Sequence, residues 1–124
     1  MAGPLLFAYG TLRDALQRDM VLRGTPTREI GAASAPGVLY DLGNYPGLVD
    51  GAPGERVPGV VVELADEAAL ERLDVYEDVG NGLFARHRTT ARLDTGGDVE
   101  AWVYVYSRSV RGRRRITAWG EQPA

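Results

Sequence analysis

A carboxylate on an apolar helical stripe is the feature of this sequence that most directly indicates chemistry. If the run 70–77 belongs to a helix that opens at Asp66, then Leu70, Leu73 and Glu77 share one face at positions i, i+3 and i+7. A buried glutamate is costly unless it is paired, hydrogen-bonded or protonated. Because desolvation raises a carboxyl pKa, Glu77 is a candidate general acid/base for a reaction near neutral pH.

Two other interpretations of Glu77 stay open at this stage. The carboxylate could be structural, tied to a backbone amide or to an arginine. The helix could also end one turn earlier, which would leave Glu77 in solvent.

The turn after the first apolar segment is a second candidate for chemistry. Residues 5–9 are typical of a buried strand, and Gly10 lets the backbone turn sharply and approach a ligand. The consecutive N–H groups of Tyr9, Gly10, Thr11 and Leu12 could form a nest for a carboxylate or an oxyanion. The alternative is an ordinary connection between a strand and a loop.

Composition removes many other chemistries. Among the 124 residues there is no cysteine, a single histidine (His87), and no lysine, since all 14 basic residues are arginine. Disulfides, thiol nucleophiles, thiolate metal sites, zinc sites with two or three histidines, and Schiff-base lysines are therefore excluded within one chain. With no G-x-S-x-G or phosphate-binding glycine motif either, we expect proton transfer by one carboxylate with backbone donors, no cofactor and no metal.

Charge and hydropathy predict no nucleic-acid or membrane partner. The net charge is −3, and no apolar run approaches the roughly 20 residues that span a bilayer. The N-terminal apolar stretch is short and lacks a preceding basic region, so we expect a cytoplasmic protein. One basic cluster near the C-terminus is expected to be a solvated tail, with docking on an acidic partner as the alternative; it comprises Arg108, Arg111, Arg113, Arg114 and Arg115.

The pattern of elements favours an α+β fold, a small mixed β-barrel with one main flanking helix. Several strands look buried on both faces, which favours a barrel over an open sheet. We expect a single domain over 1–124, with a core over about 5–108 and a weakly patterned tail over 109–124. The expected strands are 5–9, 30–42 with a break at 36–37, 57–64, 84–93 and 99–106, and the expected turns are 43–47 and 94–98.

Two helices are expected, over 66–78 and over 14–23. For the shorter one, periodicity places Leu16, Met20 and either Val21 or Leu22 on the inward face.

Several segments together resemble the gamma-glutamylcyclotransferase-like family, which includes the gamma-glutamylamine cyclotransferases. Residues 7–12 (Phe-Ala-Tyr-Gly-Thr-Leu) resemble its Y-G-[ST]-L motif, and residues 39–48 resemble its Y-P loop. The stretch 57–77 resembles its V-x-G strand followed by L-D-x-[YF]-E. Residues 84–86 and 102–106 match an aromatic-x-Arg element and a final aromatic strand, so the motifs occur in the family's order over about 5–108.

The resemblance implies a small mixed barrel that needs no cofactor and binds a small gamma-glutamyl substrate. The substrate's own α-amine attacks its γ-carbonyl, which gives 5-oxoproline and a free amine. The catalytic glutamate falls on Glu77, which exchanges protons with the two nitrogens. The other residues implied in substrate binding are Tyr9, Gly10, Thr11 and Leu12 through their backbone, Tyr45, Pro46 and Phe84 as walls, Tyr106 as a wall with a hydroxyl donor, and Arg86.

Some expectations remain divided. Arg86 could pair with a substrate carboxylate or form a structural ion pair within the barrel, and His87, which alternates with it along a strand, is expected at the surface. Members of this family differ in the substrate from which the amine is released: glutathione, gamma-glutamyl amino acids, gamma-glutamyl-lysine isopeptides or acylated biosynthetic intermediates. A non-catalytic small-molecule binding module that uses the same pocket is the alternative function, and the expected state is a monomer or a weak homodimer.

Overall fold

The structure is a computed structural model that describes residues 3–120. Within these residues the helices are α1 (Ala15–Leu22) and α2 (Glu67–Tyr76), with short 3-10 turns at Thr11–Arg13 and Val79–Asn81. The strands are β1 (Leu5–Ala8), β2 (Thr27–Pro36), β3 (Val38–Asp41), β4 (Pro46–Val49), β5 (Arg56–Leu64), β6 (Phe84–Leu93), β7 (Asp98–Tyr106) and β8 (Arg114–Ile116).

Five strands close into a barrel. The order β1-β5-β2-β6-β7 returns to β1, because β1 pairs antiparallel with β5 and in parallel with β7, where Leu6 lies opposite Trp102. The small mixed α+β barrel expected from the sequence is therefore confirmed, with the short helix α1 present beside α2.

Strand β7 has a third neighbour, and this branch shapes the mouth of the barrel. Further along β7, Val105 pairs in parallel with Leu48 of β4, and β4 continues the sheet through β3 to β8. The loop that precedes β4 is thereby carried to the end of β1. A methyl group built on Gly10 would lie 2.9 Å from the Pro46 side chain, which measures how closely the two segments approach.

Two hydrophobic cores lie on opposite faces of the barrel wall. Alternation along β1 sends Phe7 into the barrel, whereas Leu6 and Ala8 point outward under the helices. Strand β7 behaves likewise, with Val103 inside and Tyr104 outside. Where both faces are covered, as in β1 and the second half of β5, the strand is a nearly continuous apolar run.

The inward face of α1 differs from the prediction. Leu16 and Met20 are each 66% exposed, whereas Leu22 is 1% exposed and Arg18 is 3% exposed. The expected bounds of 14–23 are confirmed to within one residue at each end. Asp14 caps the helix by accepting from the Leu16 N–H, and Arg23 ends it in a left-handed conformation. Apolar periodicity misplaced the buried face because an arginine occupies it.

The C-terminal region holds a strand that the sequence pattern did not reveal. β8 pairs with β3, Ile116 is buried in the inner core, and Trp119 packs against that core. Arg114 forms an ion pair with Asp41, and Arg115 pairs with Glu55. Residues 114–116 therefore form a strand and not a weakly patterned tail, although the Arg114 and Arg115 side chains are exposed, as expected for the basic cluster. Residues 121–124 lie outside the described range.

Smaller differences concern element ends. The turn expected over 43–47 is shorter, because β4 already begins at Pro46, and the helix expected to reach residue 78 ends at Tyr76. Within residues 3–120, no helix is long and apolar enough to cross a membrane.

Replacing Ile116 by alanine should destabilise the fold, because a buried side chain is lost from the inner core. We expect the free energy of unfolding in urea to fall by about 2–4 kcal/mol. Leu16→Ala, on the exposed face of α1, should change it by less than about 0.5 kcal/mol. Equal effects of the two substitutions would show that β8 contributes no core packing.

Candidate active site

A cavity of about 230 Å³ opens where the end of β1, the loop before β4, the end of α2 and the start of β6 meet. Its walls include the turn after β1 and the C-terminal end of α2. The lining residues are Leu6, Phe7, Ala8, Tyr9, Gly10, Thr11, Leu12, Tyr45, Pro46, Tyr76, Glu77, Leu83, Phe84 and Tyr104.

Most of the site residues predicted from the sequence meet in this cavity. Its lining includes Glu77, the whole 9–12 turn, Tyr45, Pro46 and Phe84. Arg86 and Tyr106 do not belong to the lining. Both lie behind it, and each touches a residue that is close to the cavity.

Glu77 lies at the C-terminal cap of α2. Its N–H donates to the Leu73 carbonyl at 2.8 Å, and the chain then turns through Asp78, which has a left-handed φ of 56°. Leu70 and Leu73 are buried as the stripe predicts, and the half-buried Glu77 continues it one residue beyond the helix.

The Glu77 carboxylate has no hydrogen-bond or ion-pair partner within residues 3–120. Burial against the cavity wall raises its pKa to about 7. The interpretation of Glu77 as a structural carboxylate tied to an arginine or an amide does not fit this arrangement. A half-ionised carboxylate that faces a cavity can both accept and donate a proton near neutral pH.

Arg86 is occupied by a different carboxylate. Its Nε lies 3.0 Å from Asp74 Oδ1, and its guanidinium stacks on the Trp102 ring at 4.5 Å. The Tyr104 hydroxyl donates to the same Asp74 carboxylate at 2.7 Å. Arg86 therefore forms the structural ion pair, on the helix-covered outer face of the barrel wall, and is not aimed at the cavity.

The turn after β1 lines the cavity and has unpaired backbone donors. Its C-terminal part is held by bonds from the Arg13 and Asp14 N–H groups to the carbonyls of Gly10 and Thr11. Within the described residues the N–H groups of Gly10, Thr11 and Leu12 have no hydrogen-bond acceptor. Free consecutive N–H groups beside a cavity are suited to an anion.

The Tyr9 side chain serves the barrel, and its backbone borders the cavity. Its hydroxyl donates to the Tyr104 carbonyl at 2.6 Å and accepts from the Leu48 N–H at 3.2 Å. Burial raises the pKa of Tyr9 far above its usual value, so the phenol stays neutral.

Aromatic rings form the remaining wall. Phe84 lies 6.0 Å from the Tyr45 ring and meets the Tyr106 ring edge-on at 5.4 Å, both measured between centroids. Tyr106 thus supports Phe84 from outside the cavity. At the mouth, the Tyr76 hydroxyl and Thr11 Oγ1 are hydrogen-bonded at 3.3 Å, which links α2 to the turn.

Sequence reasoning missed six of the lining residues, which are Leu6, Phe7 and Ala8 of β1 together with Tyr76, Leu83 and Tyr104. Tyr104 pairs with Arg86 in the β6–β7 ladder. The face of the barrel wall on which Tyr104 lies could be predicted only from this register, which the sequence does not show. His87 is exposed, as expected, but not because Arg86 points into the barrel: Arg86 pairs with Tyr104 on the outer face, and His87 pairs with Val103. Within residues 3–120, no group of three or more histidine and carboxylate side chains is placed to hold a metal ion.

Comparison with known proteins agrees with this fold. The family model described as gamma-glutamyl cyclotransferase, AIG2-like, matches residues 6–120. A Vibrio cholerae protein assigned to the same family is 36% identical over 107 residues, which is 86% of this chain and 85% of that protein.

A second relative, the gamma-L-glutamyl-butirosin B gamma-glutamyl cyclotransferase of Niallia circulans, is 34% identical over 94% of this chain and 75% of its own length. The crystal structure of a mouse AIG2-like protein superposes with a TM-score of 0.78, at 20% identity over 95% of this chain and 88% of that one. The chain therefore belongs to the gamma-glutamyl cyclotransferase, AIG2-like family.

The raised pKa of Glu77 predicts that stability decreases as pH rises. Below about pH 4.5 the carboxyl is protonated in both states; between that value and about 7 the unfolded chain ionises first, so the folded state is progressively disfavoured. Glu77→Gln removes this effect. The quantity to measure is the difference in the free energy of urea unfolding between Glu77→Gln and the parent. We expect this difference to be more favourable to the variant at pH 8 than at pH 4 by roughly 1–3 kcal/mol.

Glu71→Gln is the matched control, because Glu71 is exposed on the same helix. It should show no such pH dependence. A Glu77→Gln difference that is the same at pH 4 and pH 8 would contradict a desolvated carboxyl.

Proposed function

We propose that this protein is a gamma-glutamyl cyclotransferase that converts a gamma-glutamyl amide into 5-oxoproline and a free amine, as a single domain without a cofactor. The observation that carries the proposal is one cavity lined both by the partnerless Glu77 carboxylate and by a turn with free backbone N–H groups. Membership of the family and the names of its relatives support the same reaction class.

In this proposal the turn after β1 binds the substrate's anionic groups. The N–H groups of Gly10, Thr11 and Leu12 receive the α-carboxylate and the oxyanion that develops on the γ-carbonyl oxygen. The rings of Tyr45 and Phe84 cover the methylene chain of the glutamyl group. The α-nitrogen is thereby directed toward Glu77.

The chemistry is an intramolecular acyl transfer. Ionised Glu77 takes a proton from the α-ammonium, and the freed amine attacks the γ-carbonyl carbon to form a tetrahedral oxyanion. Glu77 then protonates the amide nitrogen, whose bond to carbon breaks as the carbonyl reforms. In total the α-nitrogen gives up two protons and the departing amine carries two away as an ammonium ion.

Ring closure explains why the site needs no protein nucleophile. A five-membered ring closes with a high effective molarity when the reacting atoms are held together. The task left to the protein is to fold the substrate, supply oxyanion donors and move protons. A carboxyl pKa of about 7 suits a group that must act as base and then as acid.

The leaving amine projects from the cavity mouth in this proposal. A volume of about 230 Å³ is below the roughly 300–1,000 Å³ of sites that enclose drug-sized ligands, so it suits the glutamyl part alone. The Niallia relative is named for gamma-L-glutamyl-butirosin B. We therefore infer that the amine is contacted by residues at the rim, such as Tyr45 and Tyr76.

Glu77→Gln should abolish turnover while the fold is retained, because glutamine cannot exchange the protons. We expect 5-oxoproline formation, followed by mass spectrometry over a panel of gamma-glutamyl amides, to fall by about 10²–10⁴-fold. Glu71→Gln should leave it unchanged.

Undiminished activity of Glu77→Gln would refute the assigned role. Ligand-dependent thermal stabilisation without product from the parent protein would instead favour the binding-module function.

The pH dependence of kcat/KM should follow the ionisation of Glu77. Because the base form is needed for the first proton transfer, the rate should rise tenfold per pH unit below about pH 7 and level off above it. A rate that is flat between pH 5 and pH 8 would show that no group of this pKa controls the reaction.

A further inference from the structure

Arg18 is a buried charge that the proposed reaction does not use directly. It lies on α1 and is 3% exposed, the only charged or polar side chain among the buried residues of the described range. A buried guanidinium is costly to desolvate, so its partners determine what it contributes.

The partners of Arg18 lie in the turn that borders the cavity. Its Nη1 donates to the carbonyls of both Leu12 and Arg13, each at 2.9 Å. The Arg18 N–H also bonds to the Asp14 carbonyl at 3.0 Å, so helix and turn are joined through both backbone and side chain. Because one nitrogen holds two successive carbonyls, it fixes the planes of the peptide units 12–13 and 13–14. The N–H groups of these two units donate to the Gly10 and Thr11 carbonyls, so the constraint passes to the peptide units that carry the free N–H groups of Thr11 and Leu12.

The Arg18 charge is only weakly compensated. Its Nη2 lies 3.4 Å from Glu29 Oε1, and the Glu29 side chain is 55% exposed, whereas Nε is buried without a partner. A guanidinium that is incompletely neutralised in a low-dielectric region adds positive potential around the groups that it contacts. The nearest such groups are the peptides of the turn.

We propose that Arg18 is a positioning residue that holds the turn so that N–H groups among those of Gly10, Thr11 and Leu12 converge on the substrate's α-carboxylate, while the turn still serves the oxyanion. The inference rests on the proposed function and deepens it. Arg18 does not touch the substrate; it acts through the Leu12 and Arg13 carbonyls. Substrates are thereby restricted to amides whose acyl group carries a carboxylate beside the attacking amine.

Two substrates that differ only in this carboxylate separate the positioning role from general stabilisation. A gamma-glutamyl amide carries it, whereas the corresponding 4-aminobutyryl amide lacks it and closes to 2-pyrrolidinone by the same attack on the carbonyl. The ratio of their kcat/KM values measures how well the turn recognises the carboxylate. A purely structural loss lowers both values by the same factor and leaves the ratio unchanged.

Arg18→Met is expected to raise KM for the gamma-glutamyl amide about tenfold or more and to lower the ratio by the same factor. Its effect on the 4-aminobutyryl amide should stay within about threefold. Arg18→Lys, which keeps the charge and one donor, should lie between parent and Arg18→Met, and it carries the test if Arg18→Met does not fold. The control is Arg92→Met, whose side chain is 63% exposed in the β6–β7 hairpin.

Binding of the two lactam products, followed by calorimetry, gives a readout independent of turnover. The parent should bind 5-oxoproline more tightly than 2-pyrrolidinone, and the Arg18 variants should lose this preference. An unchanged preference in either variant, or equal binding of both lactams by the parent, would overturn the inference. If the parent binds 5-oxoproline selectively but turns over neither amide, the proposed function fails while the role of Arg18 stands.

Discussion

The hydroxyl group of Tyr9 is the contact on which the site depends. It donates to the backbone of Tyr104 on β7 and accepts from Leu48 on β4, so it joins three strands at the point where the sheet branches. Because it is buried and neutral, both bonds are made in a low-dielectric region, where losing one is expensive. The next residue, Gly10, is thereby held against Pro46, and the turn has a single position relative to the aromatic wall.

The second constraint is that the two carboxylates near the C-terminal end of α2, Asp74 and Glu77, have different surroundings. Asp74 takes both the Arg86 guanidinium and the Tyr104 hydroxyl, and this network fastens the helix to β6 and β7. Glu77, one turn later, is left without a counter-ion in a partly desolvated wall. The family resemblance alone does not determine which carboxylate pairs with Arg86, because Arg86 could equally have paired with Glu77. The ion pair of Asp74 is what keeps Glu77 available to a ligand.

Much of the fold could be predicted from the sequence because its strands are strongly patterned. β6 was bounded correctly, and the two-sided burial of β5 and β7 indicated a closed sheet. The direction of Arg86 could not be predicted, because it depends on pairings between distant segments. β8 was missed since its short run is stabilised by β3 and by Ile116 packing, not by local propensity.

The central claim is that the substrate's own α-amine displaces the leaving amine, and isotopes test it most directly. A gamma-glutamyl amide that carries ¹⁵N at its α-position would be incubated with the protein in H₂¹⁸O, and the first product analysed by mass spectrometry. Intramolecular attack predicts 5-oxoproline that retains ¹⁵N in the ring and contains no ¹⁸O. Glutamate that carries ¹⁸O as the first product would show hydrolysis by water and would contradict the account.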